Sequence, residues 1–178
     1  MHVEHALRAG EHGHSGYLPY SKTVLNDADI VCATRTAACV MFTGGRSARL
    51  LAERIHRESG WRYGPFQAVD CEAPDAVLER VLFAPLEADL RPVKSDTPLL
   101  RLLQPGTMFL QDVGRLSLPA QERLRDLLEI AAAEGRGRRS RRRIMAWAPE
   151  PLLPNVTAGT FDDTLFYRLN ALHFVLTD

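Results

Sequence analysis

Short apolar runs alternate along this chain with longer segments in which apolar residues return every three or four positions. Cys39 to Thr43, CVMFT, is a compact apolar run followed at once by Gly44 and Gly45. Beyond it Ala48, Leu51, Ala52 and Ile55 stand at i, i+3, i+4 and i+7, the spacing of a helix with one apolar stripe, and Gly60 marks its stop. A second strand, Phe66 to Asp70, follows the Gly64-Pro65 turn, and Ala76 to Leu82 reads as a short helix. Residues 84 to 98 carry Pro85, Pro92 and Pro98 and are expected to form an exposed loop. Thr107 to Gln111 is the third strand. Its helix starts near Ser117, an N-cap residue with Pro119 in the first turn, and buries Leu124, Leu127, Leu128 and Ala131. Ile144 to Trp147 and Leu172 to Leu176 complete a set of five strands.

Strands that alternate with helices predict an α/β fold, in which a five-stranded, mostly parallel sheet is covered by helices on both faces. Residues 21 to 178 form one domain on this reading. Residues 1 to 20, with Gly10, Gly13, Gly16, Pro19 and four histidines, make a poor core and read as a flexible arm. His2, His5, His12 and His14 have nothing rigid to fix their geometry, so a solvated tail is favoured over a metal site. Strand, glycine turn and helix at residues 39 to 58 are the opening of a phosphate-binding unit.

Composition changes this picture little, except in its charges. The chain has 178 residues, 46% hydrophobic and 25% charged, with no net charge, which suits a globular domain and points to no class of partner. Its three cysteines, Cys32, Cys39 and Cys71, lack C-x-x-C spacing, which argues against a disulfide framework or a zinc site and suits a reducing cytoplasm. No apolar stretch approaches a membrane span. Lys22 and Lys94 are the only lysines, whereas Arg136, Arg138, Arg139, Arg141, Arg142 and Arg143 crowd into eight residues. That run must stay hydrated or meet an anion; a solvated turn and an anion or nucleic-acid site are evenly matched, because no aromatic residue is interleaved to stack on bases. His56 and His173, inside a helix and a strand, are expected to be hydrogen-bonded packing residues, and Cys71 a small buried apolar one.

Several segments together resemble one family. FTGG with LLAERIHRESG, then GPFQAVDC, GTMFLQDVG and FDDTLFYRLN occur in the order found in the AAA+ domain of sigma-54-dependent transcriptional activators, over about residues 21 to 176. The resemblance implies a three-layer P-loop NTPase fold that assembles into rings, hydrolyses ATP with magnesium between neighbouring subunits and remodels the sigma-54 holoenzyme. The residues that carry those tasks depart from the family pattern. The phosphate loop, Gly44, Gly45, Arg46, Ser47, Ala48 and Arg49, is about two residues short, and Ala48 falls where the lysine is expected. Gln111 and Asp112 stand where an aspartate and a glutamate would hold metal and activate water. Pro149 takes the place of the polar sensor of the γ-phosphate, and Asp162 that of the arginine finger, while Arg168 matches the family's second arginine. Ala88 to Val93, ADLRPV, lacks the GAFTGA pattern of the sigma-contacting loop, and the chain stops at Asp178, ahead of the lid and DNA-binding helices that the resemblance leads one to expect.

The expectation is therefore a non-hydrolysing domain that takes part in transcription regulation by binding another protein, either an activator of the same family or the RNA polymerase holoenzyme. It has no catalytic residue, no metal ligand and no cofactor. A slow ATPase, with Arg46 or Arg49 replacing the lysine and Asp112 doing two tasks, is the enzymatic alternative. A module that reads anions or nucleic acid through the arginine run is the third.

Overall fold

The computed structural model describes residues 20–22, 26–36, 39–90, 106–133 and 142–177. Six strands form one sheet in the order β1-β6-β2-β5-β4-β3: β1 (Tyr20–Lys22), β2 (Val40–Gly44), β3 (Phe66–Asp70), β4 (Thr107–Gln111), β5 (Arg143–Ala148) and β6 (Leu172–Leu176). All neighbouring pairs are parallel. The five expected strands are all there; the sixth, β1, is a three-residue edge strand along β6, too short for any alternation to betray it. The remainder of the N-terminal arm lies outside the described residues.

Each central strand sends alternate side chains to opposite faces. On one face Val40, Phe42, Phe109, Met145 and Phe174 pack with Ile30 and Ala33 of α1 (Asp27–Arg35) and with Ala48, Ala52 and Ile55 of α2 (Ala48–Glu58). Phe42 lies 6.4 Å from Phe109 and 5.9 Å from Phe174, ring to ring, so aromatics tie three strands together. On the other face Met41, Met108, Leu110, Ile144 and Ala146 meet α3 (Asp75–Leu78), α4 (Ala84–Leu90), α5 (Leu118–Ala133) and α7 (Asp163–Leu169). A five-residue helix, α6 (Leu153–Thr157), joins β5 to α7. Two apolar faces on one sheet require two layers of helix, which is the predicted three-layer architecture.

The proline-rich stretch departs from expectation at its start. Residues 84–90 are helical, and a π-helical turn, Glu79–Phe83, joins α3 to α4. Leu82, Phe83 and Leu86 are buried there, so apolar spacing outweighs Pro85. Pro85 has no N–H to give the carbonyl four residues back, and its ring crowds that carbonyl, which the wider π turn relieves. The carbonyl is Val81 O, and the side-chain amide of Gln67 in β3 donates to it at 2.9 Å. Residues 91–98 of the predicted loop lie outside the described residues, as do Arg91, Pro92 and Val93 of the expected sigma-contacting stretch.

One turn needs glycine outright. Gly106, before β4, has φ +53°, and a Cβ there would come within 2.0 Å of Pro65 O, the carbonyl that receives the Thr107 N–H at 2.8 Å.

Candidate functional site

The chain leaves β2 for β3 at the far edge of the sheet, and leaves β5 for β6 in the opposite direction, so connections diverge between β2 and β5. Ligands of open α/β sheets bind outside the carboxyl ends of the strands at such a point. The carboxyl ends of the strands there are Gly44 of β2 with Gly45 after it, Gln111 of β4 with Asp112 after it, and Trp147 and Ala148 of β5 with Pro149 after them.

The turn after β2 is built on two glycines. Gly44 and Gly45 both adopt positive φ, +74° and +50°, and a Cβ on Gly44 would lie 2.7 Å from Leu176 O on β6. Ser47 precedes α2 with no side-chain cap, and Arg46 and Ser47 are exposed. Ala48, the position expected to hold lysine, is the first residue of α2 and is 2% exposed, packed into the aromatic face of the core. Arg49 points along the outer face of α2 and pairs with Glu53 at 3.0 Å. Neither side chain is presented to the crevice as a free cation.

Sequence reasoning missed Trp147. Its indole N–H donates to Gly44 O at 2.7 Å, so a large ring from β5 is fastened to the first residue of the turn. An unusual tryptophan in the apolar run of β5 was the signal that might have been followed, since a half-buried indole seeks an acceptor. Next to it Thr43 Oγ1 and His173 Nε2 lie 2.8 Å apart, which bears out the packing role expected of His173. Burial lowers the pKa of that imidazole.

Gln111 and Asp112 close the end of β4. Gln111 is half-buried at the end of β4, and its backbone carbonyl accepts the Cys71 N–H at 3.0 Å. Asp112 is the only described non-glycine residue with positive φ, +51°, and its carboxylate faces Arg115 at 3.4 Å. Asp70, which the sequence did not single out, stands opposite Gln111 across the β3–β4 pair. Its Oδ1 accepts the Glu72 N–H at 3.0 Å. Burial first, and the carboxylates of Asp70 and Asp112 after it, push the Cys71 thiol far above its usual range, in keeping with a buried, inert cysteine. Among the described residues no three His, Cys, Asp or Glu side chains gather as a metal-holding group.

The remaining positions serve the fold. Pro149 ends β5 as an exposed bend with no polar side chain. Asp162 is the N-cap of α7: Oδ1 accepts the Leu165 N–H at 2.7 Å, and Oδ2 accepts from Arg125 at 2.6 Å. Its own N–H donates to Gln121 Oε1 at 2.8 Å, and the buried Gln121 amide bonds Leu116 O and Thr160 O. Arg168 pairs with Glu129 at 3.4 Å. Among the described residues the crevice positions carry no lysine and no metal-holding group, and an indole is bonded to the glycine turn.

The arginine run divides. Arg136, Arg138, Arg139 and Arg141 lie outside the described residues. Arg142 pairs with Asp89 at 3.0 Å. Arg143 contradicts the expectation of a surface anion site, being 1% exposed at the start of β5 with its guanidinium 5.2 Å from the Trp61 ring. It donates to Ala33 O at the end of α1, and burial pulls its pKa down to about 10. A helix C-terminus and an aromatic face stand in for the anion.

The model of the sigma-54 interaction domain matches residues 16–175, nearly all of the chain. The chain belongs to that family. It is 28% identical to the regulatory protein AtoC of Escherichia coli K12 over 89% of this chain and 36% of AtoC. It is 29% identical to the sigma-54-dependent transcriptional activator SfnR of Pseudomonas putida over 86% of this chain and 44% of SfnR. The chain thus spans less than half the length of these curated relatives. Among solved structures, NtrX from Brucella abortus matches with a TM-score of 0.59 at 24% identity, covering 84% of this chain and 34% of NtrX. The P-loop NTPase domain of an E. coli sigma-54 activator matches with a TM-score of 0.52 at 18% identity, covering 79% and 97%. These likenesses establish the P-loop NTPase fold. Among the described residues, no helix is long and apolar enough to cross a membrane.

Proposed function

We propose that this sigma-54 interaction domain takes part in transcription regulation without hydrolysing ATP, by associating with another protein: a catalytically competent activator of its own family or the RNA polymerase holoenzyme. One observation carries the reading. The Gly44 turn, where a triphosphate would rest, is bonded to the Trp147 indole, while the lysine position is turned into the core at Ala48. Phosphoryl transfer depends on positioned charge, and an arginine finger alone contributes about a thousandfold or more in related systems. With Gln111, Pro149 and Asp162 also replacing charged or polar groups, the remaining crevice has little to offer a transition state. Heterologous ring interfaces join unlike surfaces, so an inert subunit can seat on one face of a competent one.

Titration calorimetry with ATP and magnesium tests the first half of this reading, and no heat of binding at micromolar to millimolar nucleotide is expected. Capture of purified sigma-54 activators or holoenzyme by the immobilised chain tests the second; no association with either at micromolar concentration would sink it. One feature favours the slow-ATPase reading, namely that Asp70 places a carboxylate beside Gln111. Saturable ATP binding abolished by Asp70→Asn would establish that alternative.

A further inference from the structure

At the end of the sheet opposite the crevice the strands begin, and a different surface assembles there. Phe66, Thr107 and Arg143 stand side by side at the starts of β3, β4 and β5. The turn that enters β3 carries Trp61, Arg62 and Tyr63, and it is anchored to this edge by the Thr107 N–H on Pro65 O. The last turns of α1 and α2 reach the same edge, because Arg143 bonds Ala33 O and His56 Nδ1 lies 2.9 Å from Thr107 Oγ1. The exposed charges that these elements carry there, apart from Glu58, are arginines: Arg35, Arg57 and Arg62. Glu58 is paired with Arg54 at 2.9 Å, and none of the three arginines has an acidic partner among the described residues. Tyr63 is 70% exposed, with the Arg62 guanidinium 4.5 Å from its ring centre and donating to its hydroxyl.

We propose that this edge binds a single nucleic-acid strand, with Tyr63 and the Arg62 guanidinium as a stacking platform for bases and Arg35 and Arg57 as phosphate contacts. An exposed aromatic ring with a flat guanidinium on it holds no advantage for an acidic peptide, whereas every base has a π-face to lay against it. Unpaired arginines supply the counter-charge that a phosphate backbone needs. The site consists of Arg35, Arg57, Arg62 and Tyr63, and it goes beyond the association proposed above. It sits apart from the nucleotide crevice, so its test is independent of ATP binding.

Fluorescence anisotropy with labelled oligo(dT) and oligo(U) of about twelve nucleotides tests it. The same length of duplex and a polyglutamate chain serve as competitors. Binding to either single strand, tighter than to duplex and polyglutamate, is expected; which of the two binds tighter tells DNA from RNA. Tyr63→Ala should weaken binding about tenfold, within the range for losing one stacked base. Two phosphate contacts give a slope of about −1.4 in log affinity against log salt, so doubling the salt should weaken binding about two- to threefold, and Arg57→Ser should flatten that slope by about 0.7. All four side chains are exposed, so the variants should melt with the wild type. Equal competition by polyglutamate or duplex, wild-type affinity in Tyr63→Ala, or no binding at all would overturn the site. So would a loss seen only on replacing Arg138, Arg139 and Arg141 with serine, while the edge variants bind normally.

Discussion

Replacing Gln67 by leucine tests the joint between sheet and helix. The two side chains are close in volume, so the main change is removal of the amide that donates to Val81 O at 2.9 Å. Pro85, four residues on, has no N–H to take over, so the carbonyl is left with one partner fewer inside the protein. An unsatisfied buried acceptor costs about 1–3 kcal/mol. At about 2–4 °C per kcal/mol for a domain of this size, Gln67→Leu should lower the melting temperature by about 2–12 °C. The decisive variant is Pro85→Ala, which restores an N–H at the place where an α-helix would bond Val81 O. In that background the penalty for Gln67→Leu should shrink, because the backbone now does what the side chain did. Urea denaturation of wild type, both single variants and the double variant gives a coupling energy, expected to be about 1 kcal/mol or more. Independent sites add to within about 0.3–0.5 kcal/mol. Additive penalties would refute the exchange of partners and leave Gln67 as a packing residue.

Three further outcomes follow from the crevice and the core. Ala48→Lys, which writes in the lysine expected of the family, should destabilise by about 2 kcal/mol or more by placing an ammonium group against a core position 2% exposed, and should not produce ATP binding; melting curves and calorimetry check both. Asp162→Arg removes the cap of α7 and sets a cation against Arg125, so a loss of about 1 kcal/mol or more with no gain in phosphate release is expected. Stability should fall as the solution is acidified through pH 6: burial, and for His56 the nearby Arg143 as well, lower the pKa values of His56 and His173 below their ordinary 6.5. The folded state then binds fewer protons than the unfolded one, so the stabilisation is complete above 6.5 and is lost as pH drops through the folded values. Denaturation midpoints from pH 7.5 to 5 would show it, and His56→Gln should flatten the curve.

The order of strands and helices was legible because both apolar periods are unbroken where they matter. Val40, Phe42 and Phe109 face one layer while Met41, Met108 and Leu110 face the other, as a strand buried on both sides demands. Ser117 and Pro119 marked the start of α5, and Ser117 Oγ accepts the Ala120 N–H at 3.4 Å. What escaped depended on partners distant in sequence. Pro85 signalled a loop by local rules, but the burial of Leu82, Phe83 and Leu86 outweighs it, and Gln67, 18 positions earlier, donates to the carbonyl that Pro85 cannot serve. Arg143 looked like one more hydrated member of a run until α1 and Trp61 closed over it. In the crevice, the missing groups could be read from the sequence by resemblance, but the Trp147 bond to Gly44 could not, since it joins residues 103 apart.

That last contact bears on how the crevice can change. A catalytic residue that has merely been exchanged can be restored by reversing one substitution, because the geometry around it is still waiting. Here two positions that depart from the family pattern, and the glycine turn beside them, have structural partners of their own. Ala48 fills core space, Asp162 closes α7 and holds Arg125 and Gln121, and Trp147 is bonded to the turn itself. Each would have to be released from a structural role before a catalytic group could act there, and every release costs stability on the order of 1 kcal/mol or more. Three such costs come to about 3 kcal/mol or more, a large share of the 5–15 kcal/mol that holds a typical domain folded. On the proposed reading, ATP turnover in this chain should therefore require compensating changes in the core as well as new residues at Ala48, Gln111, Asp112, Pro149 and Asp162, and those substitutions alone should yield a poorly folded protein rather than an active one.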